Sequence, residues 1–190
     1  MKNTACMLLT ALILASTPAA AYRIADVDIP DTVQLVNSAT RLVLNGAGIR
    51  EKFFADIYIG ALYLPEKTSD ANAILGDTGP ASILMHFLYK EVSKSKLTDG
   101  WSEGLAANTS TAEMKALKPG LDTFNNLFLT VRKGDVIRID YLPGTGTEVR
   151  INGKWRGTVE GDAFFRALLK IFLGSSPVTR DLKAGMLGAE

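Results

Sequence analysis

The sequence predicts an α+β fold, an antiparallel sheet covered by helices, and two observations carry that expectation. Strand-patterned and helix-patterned segments come in blocks, strands then helices then strands then helices, whereas a doubly wound parallel sheet alternates them one for one. Short turn signals such as Asn152-Gly153 join neighbouring strand segments, as antiparallel strands are joined.

The first 21 of the 190 residues stand apart from this pattern. They carry one lysine (Lys2), an apolar run from Ala5 to Ala15 and the small-residue ending Ala19-Ala20-Ala21, the layout of a secretory leader cut after Ala21. The apolar run is shorter than the ~20 residues of a spanning helix, so a removed leader is expected rather than a membrane anchor. Cys6, the only cysteine, falls in this segment, which leaves the remaining chain without disulfides, a Cys nucleophile or a thiolate metal site. Residues 22–190 suit one domain with its own core. Removing Lys2 from the 21 basic residues makes them equal to the 20 acidic ones, so no net charge favours nucleic acid or an anionic membrane. No membrane span is expected after the leader, and the oligomeric state is left open.

From Thr32 to Ile49 apolar and polar positions alternate, with Val33, Leu35, Leu42 and Leu44 on a core face and Asn45-Gly46 marking a turn or bulge. Phe53 to Leu64 is apolar on both faces, as in a central strand covered on each side. A short helix is expected near Asp70 to Leu75 and a buried strand over Ala81 to Tyr89. Leu97, Trp101 and Leu105 recur every four residues as a helical stripe, and Ser110 with Glu113 forms a capping-box signal. Pro119-Gly120 is expected to interrupt that block before Leu121, Phe124, Leu127 and Phe128 resume it. Strands follow at Val136 to Leu142, Thr147 to Asn152 and Trp155 to Val159. Asp162 to Leu173 reads as a helix capped by Gly174, and Ser176-Pro177 as the start of another bearing Leu182 and Met186.

Little of this supports common catalytic chemistry. There is no Gly-x-Ser-x-Gly elbow, and the single histidine, His86, lies in mid-strand between Met85 and Phe87. No metal site is expected from one histidine and no available cysteine, and no cofactor is implied. Gly46-Ala47-Gly48 is half of a dinucleotide fingerprint, without the third glycine or a following helix. Trp101 and Trp155 read as packing residues, and Gly100 and Gly104 as points where the helix approaches the sheet closely, positions that could instead leave room for a ligand tail. Lys90, Lys94 and Lys96 read as a solvated edge. Arg50, beside two glycines and ahead of the apolar strand carrying Tyr58, could offer a guanidinium and a phenol to an anionic or carbonyl ligand, because both donate hydrogen bonds. A surface arginine at a turn and a core tyrosine explain the same residues without a ligand.

Asn45-Gly46-Ala47-Gly48-Ile49-Arg50, the strand Tyr58-Ile59-Gly60-Ala61-Leu62-Tyr63-Leu64 and the segment Ala167 to Gly174 resemble the chalcone isomerase-like family in its bacterial secreted branch. The resemblance implies an open-faced β-sandwich, a large antiparallel sheet layered with helices, with a ligand cleft between the layers. It also implies that Arg50 matches the arginine that supports the developing enolate in the plant enzymes, making it the catalytic residue if the protein is an isomerase or intramolecular lyase acting on an enone. Tyr58 stands where those enzymes carry a threonine, and Ser93 to Gly100 lacks their catalytic tyrosine and asparagine at the matching places. Fatty-acid-binding members of the fold pair the same arginine with a tyrosine at the Tyr58 position to hold a carboxylate. The resemblance therefore implies a periplasmic or secreted, cofactor-free protein binding a fatty acid or other small hydrophobic carboxylate through Arg50 and Tyr58, with His86 as a further pocket residue. Enone cyclisation and an interaction protein with a filled cleft are the alternatives. Sharing one ligand requires a hairpin near Phe54, since eight residues of straight strand span ~27 Å, and Lys52-Phe53-Phe54-Ala55 is a poor turn sequence.

Overall fold

The computed structural model describes residues 21–188 except Asn37, so the expected leader falls almost wholly outside the described residues. The chain runs β1 (Ala21–Ile24), β2 (Val27–Pro30), β3 (Thr32–Gln34), β4 (Arg41–Lys52), β5 (Ala55–Leu64), α1 (Ala71–Gly76), β6 (Ala81–Phe87), β7 (Glu91–Val92), α2 (Lys94–Asn108) and α3 (Thr111–Asn126). It continues through β8 (Val131–Arg132), β9 (Val136–Leu142), β10 (Gly146–Ile151), β11 (Lys154–Val159), α4 (Asp162–Leu173) and α5 (Arg180–Met186). Seven strands form one antiparallel sheet in the order β11-β10-β9-β6-β5-β4-β3. The α+β class with helices layered on a large antiparallel sheet is thus the observed architecture.

Period-two alternation divides the sheet's side chains between two cores. Leu62, Leu64, Ile83, Met85, Phe87, Ile137 and Ile139 face the helices and pack with Leu97, Trp101, Leu105, Phe124, Phe165 and Phe172. Their neighbours Ile59, Ala61, Tyr63 and Leu84 face the other way and pack with Ile29, Val33 and Leu42. The Tyr63 hydroxyl donates to the Pro30 carbonyl at 2.9 Å and ties the second core to the N-terminal hairpin. Farther along that face Asp140 is fully buried, accepting from Ser82 Oγ at 2.6 Å and Arg138 Nε at 2.9 Å.

The capping box at α3 is present in both directions, Ser110 Oγ accepting from the Glu113 N–H and the Glu113 carboxylate from the Ser110 N–H. Pro119-Gly120 does not interrupt the helical block, because α3 runs straight through Pro119. The reason is tertiary: a Cβ on Gly120 would lie 3.0 Å from the Phe164 ring, so the missing side chain lets α3 settle on α4 while Leu121 and Phe124 are buried. Ser176-Pro177 precedes the last helix without starting it. Thr179 is the N-cap, its hydroxyl accepting from Leu182 N–H at 3.3 Å. Trp155 is also corrected, being 57 % exposed on the edge strand β11.

Close contact explains the Gly46-Ala47-Gly48 run. A Cβ on Gly48 would sit 3.2 Å from Leu182 Cα, and one on Gly46 would collide with the Gly185 carbonyl, so both glycines form a bed for α5. Asn45 locks this contact, donating to Met186 O at 2.8 Å and accepting from Thr68 N–H at 2.8 Å.

Candidate functional site

The β4–β5 hairpin places Arg50 directly opposite Tyr58. Its two-residue turn is Phe53-Phe54, with φ of 51° and 63°, the positive values that a type I′ turn requires at both positions. Asn-Gly usually fills such a turn. Aromatic residues there carry about 1–3 kcal/mol of local strain each. Lys52 pairs Ala55 and Glu51 pairs Asp56, after which the register shifts so that Ile57 is the extra residue of a bulge. Without that extra residue Arg50 would face Ile57. The bulge is held from the two residues that follow β6, since the Ile57 carbonyl accepts from Leu88 N–H at 2.9 Å and Tyr89 N–H at 3.1 Å.

Arg50 and Tyr58 both line a cavity of about 520 Å³ between the sheet and α2. Its walls are Met85 and Phe87 from β6, Leu97, Gly100 and Trp101 from α2, Ile171 from α4, and Val178. Lys52, Phe53, Lys96, Asp99 and Glu103 form part of its lining near solvent. The volume lies within the ~300–1,000 Å³ of small-molecule pockets, and the lining is mainly apolar.

Polar groups are few. The Arg50 guanidinium carbon lies 5.6 Å from the Tyr58 ring centroid, a cation–π contact, and Arg50 forms no ion pair among the described residues. Among the described residues, Arg50 Nε and Trp101 Nε1 are buried without a hydrogen-bond partner. An unsatisfied buried donor costs about 1–3 kcal/mol, so both invite an acceptor. Burial pushes the Tyr58 phenol up to about 12, against the opposing pull of the Arg50 charge, so near neutral pH the group is an O–H donor. The Tyr58 ring is fixed by Phe87, 5.6 Å away between centroids.

His86 is not in this cavity. It stands between Met85 and Phe87, which both line the cavity, and strand alternation turns it to the opposite face of β6, where it is half-buried. Burial also lowers its pKa. Two features of α2 escape a reading by residue type. Trp101 packs as expected, against Phe124, Phe128 and Phe172, yet its indole N–H finds no partner among the described residues. Gly104 marks close approach to helix α4 and not to the sheet, a Cβ there lying 2.7 Å from Ile171 Cγ2, whereas a Cβ on Gly100 would meet nothing within 4 Å among the described residues. The four-residue spacing of the two glycines was the available signal, and only packing separates their roles.

A helix-covered antiparallel sheet with a cavity between its layers defines an open-faced β-sandwich. The chain belongs to the chalcone isomerase-like family, whose sequence profile matches residues 21–188. A sequence comparison with curated proteins gives no match. Among solved structures, the fatty-acid binding protein AtFAP1 of Arabidopsis thaliana shares the fold, with a TM-score of 0.65 at 16 % identity over 85 % of this chain and 92 % of that one.

Proposed function

We propose that this protein binds a fatty acid or other small hydrophobic carboxylate, with the carboxylate on Arg50 and Tyr58 and the alkyl chain in the cavity. The observation that carries the reading is Arg50 itself, a cation that among the described residues has no carboxylate partner and has a buried, unsatisfied Nε, set opposite a phenolic donor in a mainly apolar cavity. A carboxylate supplies charge and acceptors together, and charge-assisted hydrogen bonds of this kind are the strong ones. Similarity of fold to a fatty-acid binding protein supports the same ligand class. The cavity's volume favours an occupant over a cleft filled by the protein's own side chains.

Native mass spectrometry with lipid extraction tests the proposal. Wild type should retain an acid that Arg50→Ala, folded by circular dichroism, releases. An empty wild type whose affinity for added palmitate equals that of Arg50→Ala would overturn it. An isomerase acting on an enone would use the same arginine, and is supported if chalcone cyclises above its spontaneous rate only with Arg50 present.

The proposal includes a periplasmic or secreted location after removal of residues 1–21, supported by Lys2, the apolar run and Ala19-Ala20-Ala21. The mass of the exported protein tests it.

A further inference from the structure

We propose that the Phe53-Phe54 tip is a membrane-contact element that seats the cavity mouth on a lipid bilayer. Phe53 is 87 % and Phe54 105 % exposed, and neither ring belongs to a core. The hairpin end is not built for its own stability. Both turn residues hold the left-handed conformation that aromatic side chains rarely adopt, and the next pair but one, Glu51 opposite Asp56, sets two like charges across the strands. Strain at an exposed tip, without packing that benefits from it, points to a use outside the fold.

The occupant follows from size and place. Two aromatic side chains present about 300–500 Å², below the ~600 Å² per partner at which stable protein interfaces begin, and they stand on a convex turn instead of a flat or grooved face. A bilayer interface accepts such a point, because the rings enter beneath the headgroups while nearby charges stay in water. Lys52 Nζ lies 5.7 Å from the Phe53 ring centroid, placed to snorkel to lipid phosphates. The exposed Glu51 and Asp56 just behind the turn limit insertion to the tip. Phe53, Lys52 and Ala55 also line the cavity, so a hydrophobic ligand could pass between membrane and cavity without crossing water. Docking itself goes beyond the proposed ligand and does not depend on it.

The test is flotation with vesicles of phosphatidylethanolamine and phosphatidylglycerol, comparing wild type with the double variant Phe53→Asn/Phe54→Gly. Asn-Gly suits the turn, so the variant should fold with an unchanged or higher Tm. Wild type should float with the vesicles, and the variant's partition coefficient should fall at least about tenfold. Wild type remaining with the unbound protein, or a variant floating equally well, overturns the proposal. So does a Phe-dependent dimer in sedimentation without vesicle binding, which would assign the tip to a second copy of the chain. Arg50→Ala should still float, which separates failure of docking from failure of carboxylate binding.

Discussion

Arg50 and Tyr58 are cross-strand partners, the guanidinium carbon of one 5.6 Å from the ring centroid of the other. The arginine contributes charge and a planar set of donors, and the tyrosine one neutral donor on a fixed ring. Their separate contributions can therefore be measured by substitutions that keep the neighbour in place.

Arg50→Lys keeps the charge but loses the fork, and should bind palmitate about tenfold more weakly, with Arg50→Ala about a hundredfold weaker. Tyr58→Phe keeps the ring against Phe87 and loses only the hydroxyl, so affinity should fall about five- to tenfold, or ~1–1.5 kcal/mol, with Tm nearly unchanged. Isothermal titration reads both. Equal affinity in all four proteins would remove the pair from the site.

The pH profile of binding should be asymmetric. The Tyr58 phenol, pushed up to about 12, stays protonated and donating across the neutral and mildly alkaline range. On the acid side the ligand's own carboxyl takes up a proton below about pH 5 and gives up its hold on Arg50. Titration should show a plateau from about pH 6 to 10 with loss below it. A loss centred near pH 10 would mean that the phenol titrates as an exposed tyrosine.

The two glycines of α2 should respond in opposite ways. Gly100→Leu meets open space at Cβ and removes a poor helix former, so Tm should rise, by up to ~1 kcal/mol of stability, while the added side chain shortens the longest acid bound. Gly104→Ala drives a methyl toward Ile171 and should cost about 1–3 kcal/mol. Thermal melts and a chain-length series of acids check the pair. Unchanged chain-length preference in Gly100→Leu would place the alkyl chain elsewhere.

Asp140→Ala should be the most damaging change on the second face of the sheet. It leaves Arg138, whose side chain is 21 % exposed, and the buried Ser82 hydroxyl without their shared acceptor, a loss of about 3 kcal/mol. Chemical denaturation measures it. Carboxylate affinity should be unaltered, because strand alternation turns Asp140 away from the cavity.

Much of the fold was legible because its signals are local. Alternation marked the strands, Ser110 and Glu113 marked the start of α3, and the segment from Asp162 to Leu173 matched α4 to the residue. Pro119-Gly120 misled because tertiary packing of Leu121 and Phe124 outweighs local helix-breaking preference. Arg50 and Tyr58 were legible as chemistry, but their juxtaposition depends on the Ile57 bulge and a turn without turn residues, features without a local signature. For His86 the misreading was one of face: alternation from Met85 and Phe87 would have turned it away.

The Asn45 lock bears on the order in which the molecule can assemble. Its bond to Met186 spans 141 positions of chain. Contacts so distant must wait for a large loop to close and slow folding. The hairpin carrying Arg50 therefore stays uncovered by α5 during synthesis until residues 180–186 are available, leaving a nascent chain whose strands are all present while the bed of Gly46 and Gly48 is still bare.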